Sequence, residues 1–166
     1  MFRIFYPDQY LNSTYEIPFE QLYAKGYRGI LFDIDNTLVP HNAPADDRAR
    51  ELFSRLRDIG FETCAISNNK EPRVKSFCDD VGCHYVYKAN KPLPAGFRKA
   101  MKLMGTDENN TVFVGDQIFT DTFGAKLAGI RSILVKPIHP KEEIQIVLKR
   151  RLEKIILYFY QKHVEK

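Results

Sequence analysis

Ile30-Leu31-Phe32-Asp33-Ile34-Asp35-Asn36-Thr37-Leu38 is the stretch on which the reading of this chain turns. Three apolar residues run into two carboxylates one residue apart, followed by a hydroxyl. On an extended backbone side chains alternate faces, so Asp33 and Asp35 are expected on one side. Two close carboxylates repel each other, and a divalent cation or a neighbouring ammonium relieves that repulsion. Alone, the pattern also fits a strand running into an Asp/Asn turn, with Thr37 capping the next segment. Residues further along the chain separate the two readings.

Outward from this stretch, strands alternate with helices. A short helix is expected from Pro18 to Ala24, then a buried strand from Arg28 to Ile34. Four more strands are expected over Phe61–Ile66, His84–Tyr87, Thr111–Val114 and Ile130–Val135. Helices are expected over about Asp46–Ile59, Pro72–Val81, Pro94–Met104 and Thr120–Ala128. The pattern predicts an α/β chain with a mainly parallel five-stranded sheet and helices on both faces. In open sheets of this kind ligands bind beyond the carboxyl ends of the strands. Asp33 and Asp35, Ser67-Asn68-Asn69, Lys91, and Asp116 with Asp121 all fall there. Four separate loops thus bring carboxylate, hydroxyl, ammonium and carboxylate to one rim, which a mere strand-and-turn scaffold does not require.

The chain has 166 residues, which fits one domain spanning 1–166, with a core over about 27–137. The N-terminal segment 1–26 and a C-terminal helix over about 141–166 are expected to pack on that core. Apolar residues at 44% and charged residues at 28% are those of an ordinary globular protein. The net charge of +4 is concentrated at the end, because residues 141–166 hold seven Lys/Arg against four Asp/Glu. No apolar run is long enough to span a bilayer, and no leader pattern opens the chain. Three cysteines, Cys64, Cys78 and Cys83, form no disulfide framework and fit a reducing compartment, so a cytoplasmic location is expected. Cys78, Cys83 and His84 lack a fourth partner for zinc.

The rim residues together describe phosphoryl transfer. A phosphomonoester is dianionic near neutral pH, so an anionic nucleophile needs that charge neutralised first. Asp33 and Asp116, with carbonyl or water oxygens, would offer the hard donors that Mg²⁺ prefers, and Asp121 would bind the ion directly or through water. Lys91 would bring positive charge to the phosphoryl group and to Asp33, and Ser67 a hydroxyl donor. One carboxylate can attack phosphorus to give an aspartyl-phosphate while the other moves the leaving-group proton. The sequence leaves open which Asp does which, and position nearer the strand inclines to Asp33 as nucleophile.

Asp33-Ile34-Asp35-Asn36-Thr37-Leu38, Ser67-Asn68-Asn69, Lys91-Pro92 and Gly115-Asp116-Gln117-Ile118-Phe119-Thr120-Asp121 resemble the four motifs of the haloacid dehalogenase superfamily, in order and spacing, over about residues 27–137. The resemblance implies a three-layer Rossmann-like fold and a phosphatase. It implies Asp33 as nucleophile, Asp35 as general acid/base and Thr37 as a positioning residue. Ser67, Asn68 and Lys91 would bind the substrate phosphate. Magnesium would sit on Asp33, the main-chain carbonyl of Asp35, Asp116 and Asp121. The Asp-Asn-Thr-Leu and Gly-Asp-Gln wording, with Pro7-Asp8, Tyr10 and Tyr15 near the start, resembles more narrowly the YqeG-type group of subclass IIIA. That group is similar to mitochondrial phosphatidylglycerophosphate phosphatases.

Larger members of that superfamily carry an inserted cap. Here 29 residues (38–66) separate the first two motifs and 21 (70–90) the next two, room for one helix and one strand each. An open site without a cap is expected, suited to a large substrate or one held at a surface. In the tail, a helix aligns Ile144, Leu148, Leu152, Ile155 and Phe159 on one stripe that would dock on the sheet. Ile155 to Tyr160 is apolar nearly all round, which leaves three settings open: packing on the N-terminal segment, a homo-oligomer, or the anionic inner face of a membrane. The basic residues form no long stripe, which argues against nucleic acid. The substrate is then a lipid phosphate such as phosphatidylglycerophosphate, or alternatively a soluble metabolite or phosphoprotein. A non-enzymatic alternative is a binding module in an RNA or protein assembly.

Overall fold

The computed structural model describes residues 2–139 and 144–165, with side chains on the last helix described from Leu148 onward. Six strands form one sheet in the order β1-β6-β5-β2-β3-β4, all parallel. They are β1 (Gln9–Leu11), β2 (Gly29–Phe32), β3 (Glu62–Ile66), β4 (His84–Val86), β5 (Thr111–Gly115) and β6 (Arg131–Val135). Five of these are the expected strands. The sixth, β1, corrects the count: its three residues are only half-buried and pair with Ile133–Val135 at the sheet edge. A segment that short carries no periodicity of its own, so only its partner strand defines it.

The helices are α1 (Phe19–Ala24), α2 (Asp47–Ile59), α3 (Glu71–Val81), α4 (Pro94–Met104), α5 (Phe123–Leu127) and α6 (Ile144–Val164). Along β2 the alternation is visible: Ile30 and Phe32 face a core shared with Phe19, Phe53 and Phe77 of α1, α2 and α3. Leu31 faces the other way, onto Phe97, Ala100 and Ala125 of α4 and α5. Helix α2 begins where the Asp46 carboxylate accepts from Ala49 N at 2.8 Å and ends at Gly60 with φ of 113°. Its expected apolar face, Ala49, Leu52, Phe53 and Leu56, is the buried one. The helix expected over Thr120–Ala128 is split, because Ile118–Thr122 forms a π-helical turn before α5 begins.

Only α2 and β3 lie between Leu38 and Ile66, and only α3 and β4 between Lys70 and Asn90. Among the described residues, no inserted domain stands over the carboxyl ends of the strands.

The tail differs from expectation in its rotation. Leu148, Leu152, Ile155 and Phe159 of the stripe expected to dock are exposed, and the side chain of Ile144, its first residue, lies outside the described ones. The inward face carries Arg150, Glu153, Ile156, Leu157 and Tyr160 instead. Ile156 packs on Ile118 and Leu134, and Tyr160 meets Tyr6 at 5.5 Å between ring centres. The two charged residues turn inward because they have partners on the loop after β5. Lys141–Glu143 and Lys166 of the expected helix lie outside the described residues.

Candidate active site

Strand β2 is flanked by β3 on one side and β5 on the other, so the chain changes direction across the sheet at its carboxyl end. The ladder continues one residue beyond the strand, with Asp33 N donating to Val114 O at 2.9 Å. Asn36 then turns the backbone with φ of 61°, a left-handed conformation that asparagine tolerates better than most residues. The turn closes as Thr37 N and Leu38 N donate to Ile34 O. The N-terminal segment braces it: Thr14 Oγ1 donates to Thr37 O at 2.8 Å and Tyr15 Oη to Leu38 O at 2.7 Å.

Asp33, Asp116 and Asp121 converge, each offering a carboxylate oxygen within 4.8 Å of the others, and all three are buried. Lys91 Nζ lies among them, 2.8 Å from Asp33 Oδ1 and 2.7 Å from Asp121 Oδ1. Thr37 Oγ1 donates toward Asp116 Oδ1 at 3.1 Å and toward Asp33 Oδ2 at 3.4 Å. Asp121 Oδ2 accepts from Asp116 N and Gln117 N, at 3.1 Å each, and so closes its own loop. That closure needs Gly115, because a Cβ there would come within 2.6 Å of the Asp121 carboxyl carbon. Gly115→Ala is therefore expected to cost about 1–3 kcal/mol of stability by displacing Asp121. Urea unfolding checks this, and a cost below about 0.5 kcal/mol would show that the loop accommodates the methyl.

Asp35 sits apart from that cluster. Its Oδ1 accepts from Asn42 N at 2.8 Å and pairs with Arg73 at 3.0 Å, and its Oδ2 accepts from Asn69 Nδ2 at 2.9 Å. Ser67 is buried, its Oγ accepting from Asn69 N at 3.1 Å. Asn68 brackets Lys91, accepting from Lys91 N at 2.7 Å and donating to Lys91 O at 3.2 Å. Its amide thus holds the lysine loop. Asp33, Asp35, Ser67, Asn68, Asn69 and Lys91 all face one cleft of about 190 Å³, which is open to solvent.

Three carboxylates against the Lys91 ammonium and the Arg150 guanidinium, which pairs with Asp116, leave the cluster one positive charge short. Burial pushes the Asp33 carboxyl up to about 6, with Lys91 opposing and Asp121 adding to the rise. Burial likewise raises Asp116 well above the carboxylate range, with Asp33 and Asp121 adding and Arg150 opposing. For Lys91 burial works against the charge, but Asp121 and Asp33 outweigh it and hold the ammonium above its ordinary range. The donor set is all hard oxygen, which fits Mg²⁺ or a similar divalent cation.

Four contributors escaped the sequence reading: Arg73 and Asn42 on Asp35, and Arg150 and Glu153 of α6 on the Asp116 loop. Arg150 pairs with Asp116 Oδ2 and also donates to Asp116 O. Glu153 accepts from Ile118 N at 2.7 Å and pairs with Arg150 at 3.0 Å.

Residues 40–129 match the family model described as haloacid dehalogenase-like hydrolase. The chain belongs to this family. Over 156 residues it is 34% identical to the "Probable phosphatase YqeG" of Bacillus subtilis, covering 93% of this chain and 91% of that protein. It is 28% identical over 153 residues to the "Phosphatidylglycerophosphate phosphatase 1, chloroplastic/mitochondrial" of Arabidopsis thaliana. A glyceraldehyde 3-phosphate phosphatase of Pyrococcus abyssi is 29% identical over 97 residues. These matches take in 85% and 53% of this chain, but only 44% and 41% of the two relatives' lengths. Among solved structures, the cobalt-bound deoxy-D-mannose-octulosonate 8-phosphate phosphatase YrbI of Haemophilus influenzae superposes with a TM-score of 0.55 at 15% identity. That superposition covers 83% of this chain and 91% of that one, and it shows the shared fold.

Proposed function

We propose that this hydrolase is a divalent-cation-dependent phosphomonoesterase working through an aspartyl-phosphate. The observation that carries this is the contact of Lys91 with both Asp33 and Asp121 beside Asp116, at the wall of an open cleft. Asp33 attacks phosphorus, and the bond from phosphorus to the leaving oxygen breaks as that oxygen takes a proton from Asp35. Water then attacks the aspartyl-phosphate and gives its proton to Asp35, which restores both carboxyl groups and releases phosphate. Lys91 and Ser67 neutralise and orient the phosphoryl oxygens, and Asn68 fixes Lys91. Asp33, Asp116 and Asp121, with the Asp35 carbonyl, would hold Mg²⁺, which when bound offsets phosphoryl charge and lets an anionic nucleophile approach.

For the substrate, a lipid phosphate at a membrane surface has the stronger support. The outer face of α6 exposes Leu148, Leu152, Ile155 and Phe159 beside Arg151, Lys154 and Lys162, a basic amphipathic face of the kind that lies on anionic lipid. One relative bears the name of a phosphatidylglycerophosphate phosphatase. No described helix is long and apolar enough to cross a membrane. The proposed attachment is through the outer face of α6. A soluble metabolite is the second reading, favoured by the small polar cleft.

Phosphate release from phosphatidylglycerophosphate in mixed micelles, run beside an aryl phosphate with Mg²⁺ and with chelator, tests both parts. Mg²⁺-dependent turnover of the lipid, with salt-sensitive pelleting on anionic vesicles, is the expected result. Turnover of the aryl phosphate alone, without pelleting, would keep the chemistry and sink the lipid assignment, leaving the α6 face to a second copy. No turnover of either by folded protein would favour a binding module.

A further inference from the structure

We infer that Arg150 is a positioning residue of the active site, holding Asp116 for the cation, and that Glu153 anchors it. This rests on the cation-binding reading of the three carboxylates.

A helix that merely covered the sheet would turn apolar residues inward. Helix α6 does so with Ile156 and Leu157, but it also buries an ion pair, at 16% side-chain exposure for Arg150 and 6% for Glu153. Burying such a pair yields little or no net stability compared with apolar packing, so a purely structural helix has small use for it. What the pair does have is direction. One guanidinium nitrogen of Arg150 takes Asp116 Oδ2 and another takes the main-chain carbonyl of the same residue. Glu153 fixes that guanidinium with one oxygen at 3.0 Å and takes Ile118 N with the other at 2.7 Å. The loop carrying Asp116 is therefore gripped at three points by two residues one helical turn apart.

The grip leaves Asp116 one direction in which to bind. Oδ2 is held by α6, and Oδ1 turns toward Thr37 Oγ1 at 3.1 Å, on the side where Asp33 lies. A carboxylate so fixed needs no reorganisation when a cation arrives, and such supporting contacts are typically worth about 10–100-fold in metal affinity.

Charge and orientation predict opposite signs here. A guanidinium beside a cation site repels the cation, so on charge alone a neutral replacement would tighten binding. If Arg150 acts by holding Asp116, the same replacement weakens binding. The experiment is Mn²⁺ titration of the full chain by electron paramagnetic resonance, with wild type, Arg150→Gln, Asp116→Asn and the outer-face control Leu152→Ala. The expected result is a dissociation constant raised about 10-fold or more in Arg150→Gln and unchanged in Leu152→Ala. Equal or tighter binding by folded Arg150→Gln overturns the inference and makes the arginine a resident counter-ion. Arg150→Met, which keeps the aliphatic stem, carries the same test if the glutamine variant does not fold. Wild type that binds no more Mn²⁺ than Asp116→Asn would defeat the cation reading itself, a distinct outcome.

Discussion

Asp33→Asn is expected to abolish phosphate release, by at least about 10⁴-fold in kcat, because the amide cannot form the acyl phosphate. The same variant is expected to be more stable than wild type in chelator, and the gain should depend on pH. The Asp33 carboxyl titrates near 6 in the folded protein against an ordinary value of 3.8, so below about pH 4 both states are protonated and the group costs nothing. As pH rises to about 6 the unfolded chain gives up its proton more readily than the folded one. The folded state is penalised progressively, and fully above that window. Asparagine removes the penalty, with a gain of about 1–3 kcal/mol at neutral pH that shrinks toward acid. Urea unfolding at several pH values with parallel assays measures both. A variant that loses turnover without gaining stability would mean that Lys91 already balances the buried carboxylate. Retained turnover would remove Asp33 as nucleophile.

Lys91→Met should have the largest effect on stability. Methionine keeps most of the stem but removes the ammonium that lies 2.8 Å from Asp33 and 2.7 Å from Asp121. Three buried carboxylates would then face one another with only Arg150, on the outer side of Asp116, as a compensating charge among the described residues. Removing one partner from a buried ionic cluster costs about 3–5 kcal/mol. The cost should be greatest at neutral pH, fall as Asp33 and Asp116 take up protons on acidification, and be partly reversed by millimolar Mg²⁺. A small loss, independent of pH and unaffected by Mg²⁺, would show that the cluster does not depend on this cation. Activity should vanish in either case, so the stability profile is the informative measurement.

The two variants separate roles that the geometry joins. Asp33 is the group that penalises folding and performs the proposed chemistry, whereas Lys91 makes its burial tolerable. Strain of this sort at a site, relieved elsewhere in the chain, is ordinary for enzymes.

The local pattern of residues sets the order of groups along the sheet. Each of β2, β3 and β5 is a short apolar run that ends abruptly in polar residues, and a parallel sheet brings such ends to one rim. Asp33, Ser67 and Asp116 were legible for that reason, each following directly on a strand end, whereas Lys91 and Asp121 lie in the loops that follow β4 and β5. Strand β1 and the face that α6 turns inward come instead from contacts distant in the chain. Strand β1 is three half-buried residues whose identity comes from β6. On α6, periodicity weighs apolar character and assigns Arg150 and Glu153 to solvent, so the stripe from Leu148 to Phe159 looked like the buried one. Their partners lie 34 and 35 residues away on the Asp116 loop, and a hydrogen bond across that separation leaves no local mark in the sequence.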